Sequence, residues 1–114
     1  MEKIRDIIIY KNYFLDFYNE QSEKVQSKID YVLKIVATQH RVPVKFFRAI
    51  ESEKGLFEVR VEKDSNIYRI FCCFDDGNLV VLFNGFQKKS RKTPKDEIEK
   101  AMRIMNDYFN EKQK

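Results

Sequence analysis

Arg60 and Arg69 stand in two alternating segments, FEVRV and IYRIFCCF, and a third segment, LVVLFNGF, runs into the stretch GFQKKSRKTP at residues 85–94. That stretch carries Lys88, Lys89, Arg91 and Lys92, with Lys95 just beyond, and no acid. Folding gains little from gathering like charges. Such a set suits the holding of an anion, and a phosphate backbone is its natural counterpart because it repeats negative charge at short intervals. Other chemistries lack their parts. His40 is the only histidine and the two cysteines, Cys72 and Cys73, are neighbours, so no zinc spacing can be read and no metal or cofactor is expected. Three glycines cannot supply a glycine-rich phosphate loop, and no candidate serine has a histidine nearby.

The strands that would carry the arginines can be registered from their turns. We read strands over Phe57–Val61, Ile67–Phe74 and Leu79–Phe86. DDGN at 75–78 reads as a two-residue hairpin centred on Asp76-Gly77, which places Phe74 opposite Leu79 and Arg69 opposite Asn84. With Asp64-Ser65 as the centre of the preceding turn, Arg60 lies opposite Arg69. One sheet face then carries Phe57, Val59, Val61, Tyr68, Ile70, Cys72, Phe74, Leu79, Val81 and Phe83, and helices must cover it. The other face is oily at one end, with Phe71, Cys73, Val80 and Leu82, and presents Glu58, Arg60, Arg69 and Asn84 at the other. Two arginines directly opposite repel. The pair is tolerable with Glu58 or Glu62 between them, or with a ligand that brings negative charge. Lys88, Lys89, Arg91 and Lys92 leave the last strand near the same end, so six cations can share one rim. A solvated, ion-paired face accounts for the same residues without a ligand.

Around these strands, Ile4–Tyr10 reads as a short strand, Tyr13–Tyr18 as a short helix and Ser22–Thr38 as a longer one, with Val25, Ile29, Val32, Leu33 and Val36 at helical spacing. HRVPVKFF at 40–47 reads as a connection broken by Pro43, with Phe46, Phe47 and Ile50 forming one turn on the core. Thr93 is expected to cap a final helix with Pro94 at its first position, and Ile98, Ala101, Met102, Met105 and Phe109 make its apolar stripe. With 114 residues, 43% of them hydrophobic, ten Phe and six Tyr, one compact domain with its own core is expected. The net charge of +4 suits an anionic partner. No apolar run reaches the roughly eighteen residues of a membrane helix, the N-terminal stretch has no signal-peptide pattern, and adjacent free cysteines suit a reducing cytoplasm.

The segments LFEVR, YRIF and VVLFNGFQKK and the helix start TPKDEIEKA, between Gly55 and Ala101, resemble the RelE/HigB-like toxins of bacterial type II toxin–antitoxin systems, in the RelE/ParE superfamily. The resemblance implies an α+β fold, a small antiparallel β-sheet with two N-terminal helices on one face and a C-terminal helix, spanning residues 1–114 as a single domain. It implies a ribosome-dependent mRNA endonuclease that needs no cofactor. Its partners would be the ribosome, mRNA and a cognate helix-turn-helix antitoxin of the HigA-like kind. By position, Arg69 matches the family arginine that grips the scissile phosphate, Arg60 a second basic strand position, and Lys88 and Lys89 the basic pair that closes the strand. Arg91, Lys92, Lys95 and Asn84 would extend the RNA contact. Leu56 and Glu58 stand where some members place lysines, and the C-terminal Tyr or His of others has no counterpart, so the general base stays open between Lys88 or Lys89 and Glu58. Two other functions fit the same residues: a ParE-like gyrase poison and a non-catalytic nucleic-acid-binding module.

Overall fold

The computed structural model describes residues 2–113. Its elements run β1 (Asp6–Ile9), α1 (Tyr13–Asn19), α2 (Glu23–Thr38), β2 (Phe47–Ala49), β3 (Phe57–Lys63), β4 (Asn66–Asp75), β5 (Leu79–Lys88) and α3 (Lys95–Lys112). The strands form one sheet in the order β1-β5-β4-β3-β2, antiparallel except for β1, which pairs parallel to β5. α1 and α2 pack on one face of this sheet and α3 on the other, which is the expected α+β arrangement.

Helix α2 starts where Ser22 accepts a hydrogen bond from the Val25 amide at 3.3 Å. Val25, Ile29, Val32 and Val36 then fall on one stripe and are buried against Val59, Val61, Ile70, Cys72, Val80 and Leu82. Arg5 closes the other end, its guanidinium donating to the carbonyls of Val36, Gln39 and His40 at 2.7–3.0 Å. β1 is shorter than the expected Ile4–Tyr10 because the Ile4 and Arg5 amides bond to the Ala37 carbonyl instead of extending the ladder. On the opposite face, α3 buries Ala101, Ile104 and Met105 against Leu56, Phe71, Cys73, Val81 and Phe83. Cys72 and Cys73 are both free and divide between the two cores, as neighbours on a strand must.

Four expectations are corrected. The segment after Pro43 makes a turn, with the Phe46 and Phe47 amides on the Pro43 carbonyl, and then a fifth strand, β2, that pairs with Phe57–Val59. Helix α3 begins one residue late: Pro94 keeps an extended ψ of 133° and is itself the N-cap, so Thr93 caps nothing. The β4–β5 turn is three residues long, with Asp75 opposite Leu79 and positive φ at Asp76 and Gly77, so Phe74 faces Val80. A bulge then sets Phe83 and Asn84 together against Phe71, between the pairs Cys72↔Leu82 and Ile70↔Gly85. The first slip turns Val80 and Leu82 to the α2 side and Val81 and Phe83 to the α3 side, the reverse of the expected faces. The second slip undoes the reversal, and the partner of Arg69 is Phe86, not Asn84. Beyond the bulge, a Cβ on Gly85 would lie 2.5 Å from the Phe17 ring, so only glycine lets α1 sit this close to β5.

No helix among the described residues is long and apolar enough to cross a membrane.

Candidate nucleic-acid interface

The α3 face of the sheet has two halves. α3 lies over the half holding Phe71, Cys73, Val81 and Phe83. The other half is built from odd and even positions that the strands turn to the same side: Glu58 and Arg60 on β3, Arg69 on β4, Lys88 on β5, with Arg48 on β2 directly opposite Glu58. The Asp64-Ser65 turn, both residues at positive φ, sets Arg60 directly opposite Arg69.

Glu58 sits between the two guanidiniums. Its Oε2 is 3.5 Å from Arg60 Nε and its Oε1 3.5 Å from Arg69 Nε. These separations give ion pairing without hydrogen bonds, and Glu58 Oε1, Arg60 Nε and Arg69 Nε are buried with no hydrogen-bond partner. Arg69 is 3% exposed and spends one donor on the Tyr68 carbonyl at 3.1 Å. Arg60 is 23% exposed and reaches the Val44 carbonyl at 3.2 Å. Burial lowers the Arg69 pKa most, with Glu58 opposing that shift and Arg60 adding to it. Lys88 also holds its proton less firmly than an ordinary lysine, chiefly through burial and then through the positive charge of Arg69.

The structure brings together Arg60, Arg69, Glu58 and Lys88, and adds Arg48, which the sequence reading missed because β2 was taken for a turn. Arg69 meets Arg60 as expected, but at 3% exposure it is the less open of the two. Glu58 is not an accessible general base: it is 5% exposed and engaged by both arginines. Asn84 does not join the arginines on an exposed surface. It is 2% exposed and donates to the carbonyl and Oε1 of Glu97 at 3.4 Å, tying β5 to the first turn of α3. The lysine doublet divides. Lys88 faces the arginines, whereas Lys89 lines a separate cavity of about 480 Å³ with Asp16, Glu20 and Lys100, between α1 and the free edge of β5. Arg91, Lys92 and Lys95 are exposed, and none has a carboxylate within 4.0 Å among the described residues.

Residues 16–106 match the family model described as Phage derived protein Gp49-like (DUF891). The chain belongs to the Gp49-like family. This is a toxin family associated with toxin–antitoxin systems and falls within the RelE/HigB-like toxin superfamily, which points to an antitoxin as partner. No curated protein matches the Gp49-like chain.

Proposed function

We propose that this Gp49-like toxin is a ribosome-dependent mRNA endonuclease whose RNA-facing surface is the open half-sheet of Arg48, Arg60, Arg69 and Lys88. The observation that carries the reading is the cross-strand register of Arg60 and Arg69, beyond the sheet residues that α3 packs against. Two guanidiniums held opposite each other with one shared carboxylate have more donors than acceptors, and the buried Nε of each lacks a hydrogen-bond partner. A phosphate diester supplies the missing acceptors.

In the cleavage step, the ribose 2′-oxygen attacks the adjacent phosphorus, the bond to the 5′-oxygen breaks with that oxygen taking a proton from water, and negative charge grows on the phosphoryl oxygens. Arg60, the more open of the pair, faces those oxygens, and Arg69 adds its charge from behind. A donor so placed lowers the barrier by about 2–4 kcal/mol. Lys88 is the group suited to take the 2′-hydroxyl proton, since burial and Arg69 already ease its deprotonation. The ribosome supplies the alignment that side chains of this kind do not enforce by themselves. A cognate antitoxin, helix-turn-helix and HigA-like, holds the toxin inactive.

The test is expression in bacteria followed by mapping of mRNA 5′ ends. Codon-phased cuts within translated messages are expected for the wild type, and none for Arg60→Ala or Arg69→Lys at equal levels of folded protein. A DNA-damage response without cuts would assign gyrase poisoning instead. Salt-sensitive RNA binding with neither effect would leave a binding module.

A further inference from the structure

Around the edge of the sheet from the arginine pair lies a second basic surface. Strand β2 accompanies β3 only as far as Val59, and after the Arg60 amide bonds to the Phe46 carbonyl at 2.7 Å, Val61–Lys63 lack that neighbour. A cavity of about 330 Å³ opens beside them, lined by Lys28 of α2, Lys45 and Phe46 from the connection into β2, Arg60 and Glu62 of β3, and Arg69 of β4. Four cations thus face one carboxylate. Lys45 Nζ lies 4.9 Å from the Phe46 ring centroid and Lys28 Nζ 5.1 Å from that of Tyr31, and the two rings meet edge to face at 6.4 Å. Tyr31 is 54% exposed, a large aromatic surface to leave in water. Among the described residues, neither lysine has a carboxylate within 4.0 Å.

Flat rings with ammonium groups above them, on a groove continuous with an arginine site, are what single-stranded nucleic acid binds: the ring takes a base and the cations follow the backbone. An acidic peptide would use the charges but has no use for the rings. We propose that this cavity is a subsite for the nucleotide next to the linkage held at Arg60 and Arg69, with its phosphate between Lys28 and Lys45 and its base against Phe46. Lys45 Nζ then moves from the ring to the phosphate. The proposal rests on the RNA reading above and adds to it residues from α2 and the β2 connection.

Fluorescence anisotropy with a labelled short single-stranded oligoribonucleotide, titrated with salt, tests it on the full chain. The Lys28→Ala/Lys45→Ala double variant should bind about tenfold more weakly, and its salt slope should fall by about 0.7, the value for one phosphate neutralised on a single strand. Phe46→Leu, which keeps the apolar bulk that packs on the core, should also lose about tenfold, because a base stacks on a ring and not on a branched chain. Glu62→Gln should bind more tightly than the wild type, an effect no purely structural role produces. Matching thermal melts confirm that each variant is folded. Unchanged affinity in the double variant, with affinity lost in Arg60→Ala, overturns the subsite and leaves the cleavage reading standing. The expected losses without codon-phased cuts in cells keep the subsite and remove the cleavage reading. No binding of the oligonucleotide by the wild type, or lysine effects seen only with poly-glutamate, overturns the subsite.

Discussion

The two halves of the α3 face handle buried charge in opposite ways. Under α3, Asp75 receives a hydrogen bond from the Tyr108 hydroxyl at 2.6 Å and from Lys112 Nζ at 2.7–2.8 Å, so the carboxylate is satisfied and the helix end is fixed to the β4–β5 hairpin. At the open half, Glu58 meets two guanidiniums at 3.5 Å and three atoms of these charged groups stay unpaired, whereas under α3 the unpaired Asn84 Oδ1 belongs to a neutral amide. A satisfied network specifies packing, whereas an unsatisfied one costs stability that only a ligand or another need explains. One half is therefore read as architecture and the other as a site.

The largest expected effect breaks that contrast at its centre. Glu58→Ala leaves the opposed guanidiniums without their counter-charge and should cost about 3–5 kcal/mol in urea unfolding. Added sulfate should restore part of the loss by occupying the vacated position, whereas Tyr108→Phe should gain nothing specific from sulfate. Next comes catalysis. If Lys88 is the base, cleavage on purified ribosomes should rise with pH and level off below the ordinary lysine value of about 10.4, since its proton is held less firmly. Lys88→Arg should remove that limb and most of the activity. A wild-type rate flat across the alkaline range would remove Lys88 from the role.

Smaller effects belong to the other half. Tyr108→Phe deletes one hydrogen bond to a charged group and should cost about 1.5 kcal/mol, with mRNA cleavage unchanged at equal folded protein. Asp75 has its pKa held down first by Lys112 and then by Tyr108. A carboxyl depressed in the folded state contributes stability above its unfolded value of about 3.9, and loses it as pH falls through the folded value. The gap in stability between wild type and Asp75→Asn should thus be widest near neutrality and close in acid. A gap that widened in acid would reverse the assigned sign.

Much of the site's framework was legible from local signals. Lys63-Asp64-Ser65-Asn66 forms a two-residue turn, and once its centre is known the alternation of two strands fixes Arg60 opposite Arg69. The longer helices were legible from apolar spacing, though the Ser22 cap of α2 was not among the signals read. β2 was not, since three residues after a proline turn carry too short a pattern to mark a strand. The register of β5 was not legible either, because Asp76-Gly77 permits a two- or a three-residue connection, and Gly85, the one sign of the bulge at Phe83-Asn84, fits a close backbone approach equally well.

The sequence by itself determined the element types, the basic stretch and the arginine pair, because each depends on residues close along the chain or on one short turn. Only the tertiary structure decided which cations lie together. It turned Lys88 inward and Lys89 away, buried Asn84 under α3, enclosed Arg69 behind Glu58, and brought Arg48, Lys28 and Lys45 to the arginine end. Those outcomes depend on a one-residue bulge, on an edge strand, and on which part of the sheet a distant helix covers. Burial and the field of neighbouring charges arise from contacts between segments far apart in sequence, and no local pattern encodes them.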